Sequence, residues 1–180
     1  MAATTVQSPA AADFKDDWIV GLNHIALHVR SVNEATDFFI KVLGAKPYRP
    51  PWVTNRLFHV EMPGIVFAFF EGPGLVGWEL EYPHYAFTVT SDGIRGLKRR
   101  LESFGVKTHD IWTRNKVEAL LYFRDPSGNL FELYCPKYDN PEELELAAKY
   151  GGGFKPPIDQ LQYEWNADGV GPQTAMLEQR

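Results

Sequence analysis

Hydrophobic and polar positions along this chain change period in the same order twice. Over 21–29 they alternate: Asn23, Ile25, Leu27 and Val29 fall on one side, and His24, Ala26 and His28 on the other. That period of two is the pattern of a half-buried strand. Ser31-Val32-Asn33-Glu34 is then a capping box, and Val32, Ala35, Phe38, Phe39, Val42 and Leu43 recur at helical spacing up to a stop at Gly44. Strand-like runs follow over 46–49, 56–61 and 65–71, with Met62-Pro63-Gly64 as a turn and Gly72-Pro73-Gly74 as the end of the unit. The unit reads βαβββ.

The second unit repeats the order. It has a strand over 84–90, a helix from Asp92 carrying Ile94, Leu97, Leu101 and Phe104 to a stop at Gly105, then strands over 106–113, 118–124 and 129–134. Asp125-Pro126-Ser127-Gly128 places Asp, Pro and Gly where a type I turn favours them, so the last two strands form a hairpin. Asn23-His24-Ile25-Ala26 opens the first unit and Pro83-His84-Tyr85-Ala86 the second, so a histidine stands at the same point of each repeat. Two equivalent histidines suggest one shared site.

Three segments result: a flexible tail over 1–20, a double-unit domain over 21–137, and a C-terminal portion over 138–180 with a short acidic helix over 141–150, Gly151-Gly152-Gly153, and a tail whose Phe154, Tyr163 and Trp165 predict docking. Composition narrows the partner. With a net charge of -5 and interspersed charges, the chain has no basic footprint for nucleic acid or an anionic membrane, which leaves a small molecule. Cys135 is the one cysteine, so no intrachain disulfide forms. It alternates to the face opposite Glu132 and Tyr134, as a core thiol. With no basic-then-apolar leader and no apolar run of about 20 residues, a cytoplasmic location is expected.

Gly21-Leu22-Asn23-His24, Pro83-His84-Tyr85-Ala86-Phe87 and the run from Tyr122 to Glu132, with its Asp125-Pro126-Ser127-Gly128-Asn129 centre, together resemble the vicinal oxygen chelate superfamily. That group includes glyoxalase I, extradiol ring-cleaving dioxygenases, fosfomycin-resistance thiol transferases, methylmalonyl-CoA epimerases and bleomycin-resistance proteins. The resemblance implies an α+β fold in which two tandem βαβββ modules form a curved, barrel-like mixed sheet with helices on its outer face. It also implies a divalent metal held by His24, His84 and Glu132. Two imidazoles and one carboxylate leave a dication partly uncompensated, with open positions for a chelating oxygen ligand. Ala26 and Ala86, small and on the histidine side of their strands, leave room for it; Phe67, Phe69 and Trp52, with Trp78, suit an aromatic substrate.

The branches differ in what this chain retains. The fourth protein ligand of glyoxalase-type isomerases falls near Ala68. In fosfomycin-resistance enzymes a threonine or cysteine stands where this chain has Ala26, and Lys116-Val117-Glu118-Ala119-Leu120 replaces their polar phosphonate-binding run. Extradiol dioxygenases carry a tyrosine ten residues before the glutamate, as Tyr122 stands here, but their preceding histidine falls at Thr113 with His109 nearby. The expectation is therefore an Fe(II) dioxygenase-like enzyme on a small oxygenated, aromatic substrate, with Tyr122 as hydrogen-bond donor and His28 or His59 recruited as a base. The alternative is a lyase or thiol transferase of the glyoxalase or fosfomycin-resistance type using Mn(II) or Zn(II). In another class, a metal-free drug-binding resistance protein would cage its ligand between aromatics. One-module members of this superfamily pair their halves across a homodimer, which is the assembly expected.

Overall fold

The computed structural model describes residues 21–51, 59–72, 83–146, 161 and 164–168. The first module runs β1 (His24–Val29), α1 (Val32–Lys41), β2 (Lys46–Tyr48), β3 (His59–Met62) and β4 (Ile65–Glu71). Ser31 caps α1 by accepting a hydrogen bond from the Glu34 amide, as its sequence signature requires. The second runs β5 (His84–Thr88), α2 (Ser91–Ser103), β6 (Trp112–Thr113), β7 (Ala119–Arg124) and β8 (Leu130–Cys135), with Thr90 as the α2 cap. The fold is α+β, two βαβββ modules in tandem.

The two modules build separate sheets, ordered β1-β4-β3-β2 and β5-β8-β7-β6-β9, where β9 is Glu145–Leu146. In each, the first strand pairs in parallel with the last, and the remaining pairs within the module are antiparallel. No closed barrel forms among the described residues. The helices lie on the face opposite the histidines, and the modules meet through it. Leu27, Val29, Phe38, Phe39, Phe67 and Phe69 join Leu121, Phe123, Phe131, Leu133 and Cys135 in a single core. Hydrophobic burial on that scale fixes the modules against each other.

Three sequence expectations change. Of the acidic helix expected over 141–150, the described residues 141–146 form a single 3-10 turn, Pro141–Glu143, followed by β9, and 147–150 lie outside the described residues. The turn starts at Pro141 and carries the acidic pair Glu142 and Glu143, with no buried side chain to hold a longer helix. The strand over 106–113 is reduced to Trp112–Thr113: α2 closes at Gly105, and residues 106–111 run on without strand pairing. Phe67 and Phe69 are wall residues of the core, fully buried against Phe39, and do not line the histidine face. Their register partners are Ile25 and Leu27, so strand alternation turns them inward. Trp52, Trp78, Phe154 and Tyr163 lie outside the described residues. No helix among those described is long and apolar enough to cross a membrane.

Candidate functional site

Register decides which side chains share the face left outside the core. On the first sheet, His24, Ala26 and His28 of β1 stand beside Val66, Ala68 and Phe70 of β4, and Ala68 stands beside His59 of β3. Three histidines thus occupy one face. His24 is exposed and bonds the Asn23 carboxamide at 2.8 Å through Nδ1. Burial, and then the positive field of His24, hold the His59 imidazole below its ordinary value. The His28 ring lies over Gly72, where a Cβ would come within 3.1 Å of it.

The second sheet carries the other half. Ala86 stands beside Glu132, and Glu132 beside Tyr122; His84 stands beside Leu130. His84 Nε2 lies 3.1 Å from Glu132 Oε2. The Tyr122 ring is edge-on to His84 at 5.4 Å and stacks on Trp112 at 6.3 Å. Glu132 is 3 % exposed, and burial raises its carboxyl above the ordinary range, against the opposing pull of His84 and Arg114. Its Oε1 makes no hydrogen bond, with Arg114 Nη2 at 3.7 Å. A buried carboxylate oxygen in that state is an acceptor waiting for a partner.

Four residues on or against this face were not singled out from the sequence. Arg114 reaches both Glu132 and Glu118 and lies over the Trp112 ring at 5.7 Å. Glu118 is buried and accepts from Asn115 Nδ2 at 3.2 Å and from the Tyr134 hydroxyl at 3.3 Å. Counting by twos from Tyr122 through Leu120 would have reached Glu118; Trp112 and Arg114 depend on how β6 pairs. Leu161 depends on the tertiary fold and left no local signal.

His109, expected near a base position, is otherwise engaged. Its Nδ1 meets the Asp110 carbonyl at 2.7 Å, and its Nε2 accepts from the Tyr122 amide at 3.0 Å. The imidazole is a neutral backbone brace, and burial holds its pKa below the ordinary value. Among the described residues, no three His, Cys, Asp or Glu side chains gather closely enough to hold a metal ion. His84 and Glu132 come together; His24 stands on the other sheet.

The sequence model of the Glyoxalase/Bleomycin resistance protein/Dioxygenase superfamily matches residues 21–133. The chain is 34% identical over 115 residues to glutathione transferase FosA of Serratia marcescens, covering 63% of this chain and 79% of that protein. It is 31% identical over 122 residues to fosfomycin resistance protein FosX of Listeria monocytogenes, covering 65% and 90%. The crystal structure of Listeria monocytogenes FosX complexed with Mn(II) and sulfate ion superposes with a TM-score of 0.56 at 27% identity, over 66% of this chain and 92% of that one.

Proposed function

Because the chain belongs to the glyoxalase/bleomycin resistance protein/dioxygenase superfamily, we propose that it is a divalent-metal-dependent enzyme acting on a small oxygenated substrate, by chemistry of the thiol-transferase kind carried by its fosfomycin-resistance relatives. The observation that carries this reading is the pair His84 and Glu132, 3.1 Å apart on one face, with the repeat-equivalent His24 on the matching face of the other module. The donor set suits a hard or borderline dication: imidazole nitrogens, and a carboxylate whose Oε1 is buried without a hydrogen bond. Manganese is the first metal to test, since a relative's structure holds Mn(II). Iron, and with it the dioxygenase reading, has no support from the relatives named above.

The three ligands come from two chains in this reading. Each histidine face turns away from the shared core, and His24 is not gathered with His84 and Glu132 within one chain. A homodimer that sets the first sheet of one subunit beside the second sheet of the other builds two equivalent sites.

Bound there, the metal supplies Lewis-acid polarisation of a chelated substrate oxygen. The chain's own residues do the rest. Tyr122 stands directly beside Glu132 on the neighbouring strand and packs edge-on against the His84 ring, which confines both ligand side chains. Arg114, half exposed beside Glu132, is placed to meet an anionic substrate oxygen by a charge-assisted hydrogen bond. His28, on the same face as His24, is the imidazole available to take a proton from an incoming nucleophile. Ala26 and Ala86 leave space around the metal. With Trp112 and Leu120 on this face, the substrate has an apolar body, so the relatives' own antibiotic is not carried over.

A heterodimer of His24→Ala and Glu132→Ala chains, purified through two different tags, tests ligand sharing directly. One site then carries both lesions and the other none, so about half of the wild-type Mn(II) should bind, while each homodimeric variant binds essentially none. Sites formed within one chain would leave the heterodimer as empty as its parents, and a wild-type protein that takes up no Mn(II), Fe(II) or Zn(II) would overturn the enzyme reading altogether.

A further inference from the structure

Trp112, Leu120, Tyr122 and Leu130 form a second apolar cluster, separate from the main core, and its fifth member is Leu161. Alternation and register place the β7 and β8 members on the face of Glu132: Tyr122 is its direct partner, Leu120 pairs with Tyr134, and Leu130 pairs with His84. Leu161 is 5% exposed, and Trp112 and Tyr122 are fully buried. The family model ends at residue 133, so Leu161 reaches this face from a segment that the family module lacks.

That segment is anchored at its far end. Trp165 sits edge-on to Phe38 at 5.3 Å and against Phe104 at 6.0 Å, bridging α1 and the end of α2. The Asn166 amide donates to the Phe104 carbonyl at 2.6 Å. Four residues of chain span at most about 14 Å, so removing the Trp165 anchor is a second way to test whether Leu161 stays in its seat.

We propose that Leu161 is a plug. It occupies the seat that the apolar body of a substrate takes beside His84 and Glu132, and the Leu161 side chain must leave that seat before the body can enter. The proposal rests on the metal-site reading above for what enters, and on the packing alone for the plug. Filling by the chain's own side chain lowers the affinity of any ligand that has to displace it, in proportion to the fraction of time the seat is open. It also keeps an apolar pocket dry until a substrate arrives. The ligand class is a vicinal oxygen chelator with a flat or branched apolar body.

Two measurements on the full chain, Leu161→Ala and Trp165→Ala test it. The first needs no metal: hydroxyl-radical footprinting read by mass spectrometry. Oxidation of Trp112 and Tyr122 should rise about fivefold or more in both variants, with Phe39 and Phe131 of the main core unchanged. No rise would overturn the plug, and so would a rise at Phe39 and Phe131 as well, since the segment would then be a clamp on the whole fold.

The second compares two bidentate oxygen ligands on the Mn(II)-loaded protein by calorimetry: catechol, which has a flat apolar body, and oxalate, which has none. Both variants should bind catechol about tenfold more tightly than wild type and oxalate within twofold. Unchanged or weaker catechol binding would make Leu161 an ordinary wall and sink the proposal. Failure of Mn(II) to bind at all would count against the metal site, while the footprint would still decide the plug.

Discussion

His109 shows how one side chain can set a pH limit without touching substrate. Its Nε2 is the acceptor for the Tyr122 amide, and protonation would turn that acceptor into a donor facing a donor. Burial lowers its pKa in the folded state. Above the ordinary histidine range both folded and unfolded chains hold it neutral; as pH falls below about 6.5 the unfolded chain takes up a proton that the folded one refuses, and stability is lost. Asp125 acts in the opposite direction: burial raises its carboxyl to about 6, so the folded state keeps a proton between about 4 and 6 that the unfolded state has released, and stability falls as pH rises through that window. His109→Gln retains an acceptor oxygen and removes the titration while leaving Asp125 in place. The stability difference between wild type and this variant should be flat above pH 7 and turn against wild type below about 6.5, by at most about 1.4 kcal/mol per pH unit. Urea melts from pH 5 to 8 would show it; parallel curves would mean that His109 keeps its acceptor role at no cost in acid.

Between elements, the β7–β8 turn does more than reverse the chain. Asp125 Oδ1 accepts from the Ser127 and Asn129 amides, its Oδ2 accepts from Asn129 Nδ2, and Asn129 Nδ2 also reaches the His28 carbonyl at 3.2 Å. The Arg30 amide donates to Ser127 Oγ at 3.0 Å. The turn of the second module is thereby stapled to the end of β1, the strand that carries His24 and His28. Asn129→Ala should cost about 2–3 kcal/mol by stranding a buried carboxylate oxygen, measured as a lowered urea midpoint with an unchanged slope; a loss under 0.5 kcal/mol would show that water takes over both bonds.

The hairpin itself was legible from Asp125-Pro126-Ser127-Gly128, because turn chemistry is local. So were the capping box at Ser31 and the strand over 65–71, where residue type and period agree. The facing of Phe67 and Phe69 was legible in principle, since parity with Ile25 and Leu27 follows once β1 and β4 are paired; aromatic character alone pointed the wrong way. His59 could be placed beside His24 only through two strand registers, and Leu161 only through the tertiary fold.

At the scale of the whole molecule, aromatic rings join the modules: Phe38 meets Phe123, Phe67 meets Phe87, and Phe131 makes the most such contacts. Phe131 lies 5.6 Å from Phe39 and 6.1 Å from Phe67 of the first module, and packs on Tyr85, Phe87 and Phe123 of the second. Because the modules are fused through their helix-side faces, the two histidine faces are turned outward. The architecture that makes each chain cohesive thus keeps His24 apart from His84 and Glu132, which is what the proposed sharing of the site between two chains requires. Phe131→Ala removes a fully buried ring and should cost about 3–5 kcal/mol. The loss should fall on both modules together. Hydrogen exchange read by mass spectrometry should show the β1–α1 and β7–β8 peptides losing protection by the same free energy, since neither module retains an intact core without that ring. Protection that persists over β1 and α1 while β7 and β8 open would instead mean two modules that fold separately and merely touch, and the outward orientation of the histidine faces would then need another cause.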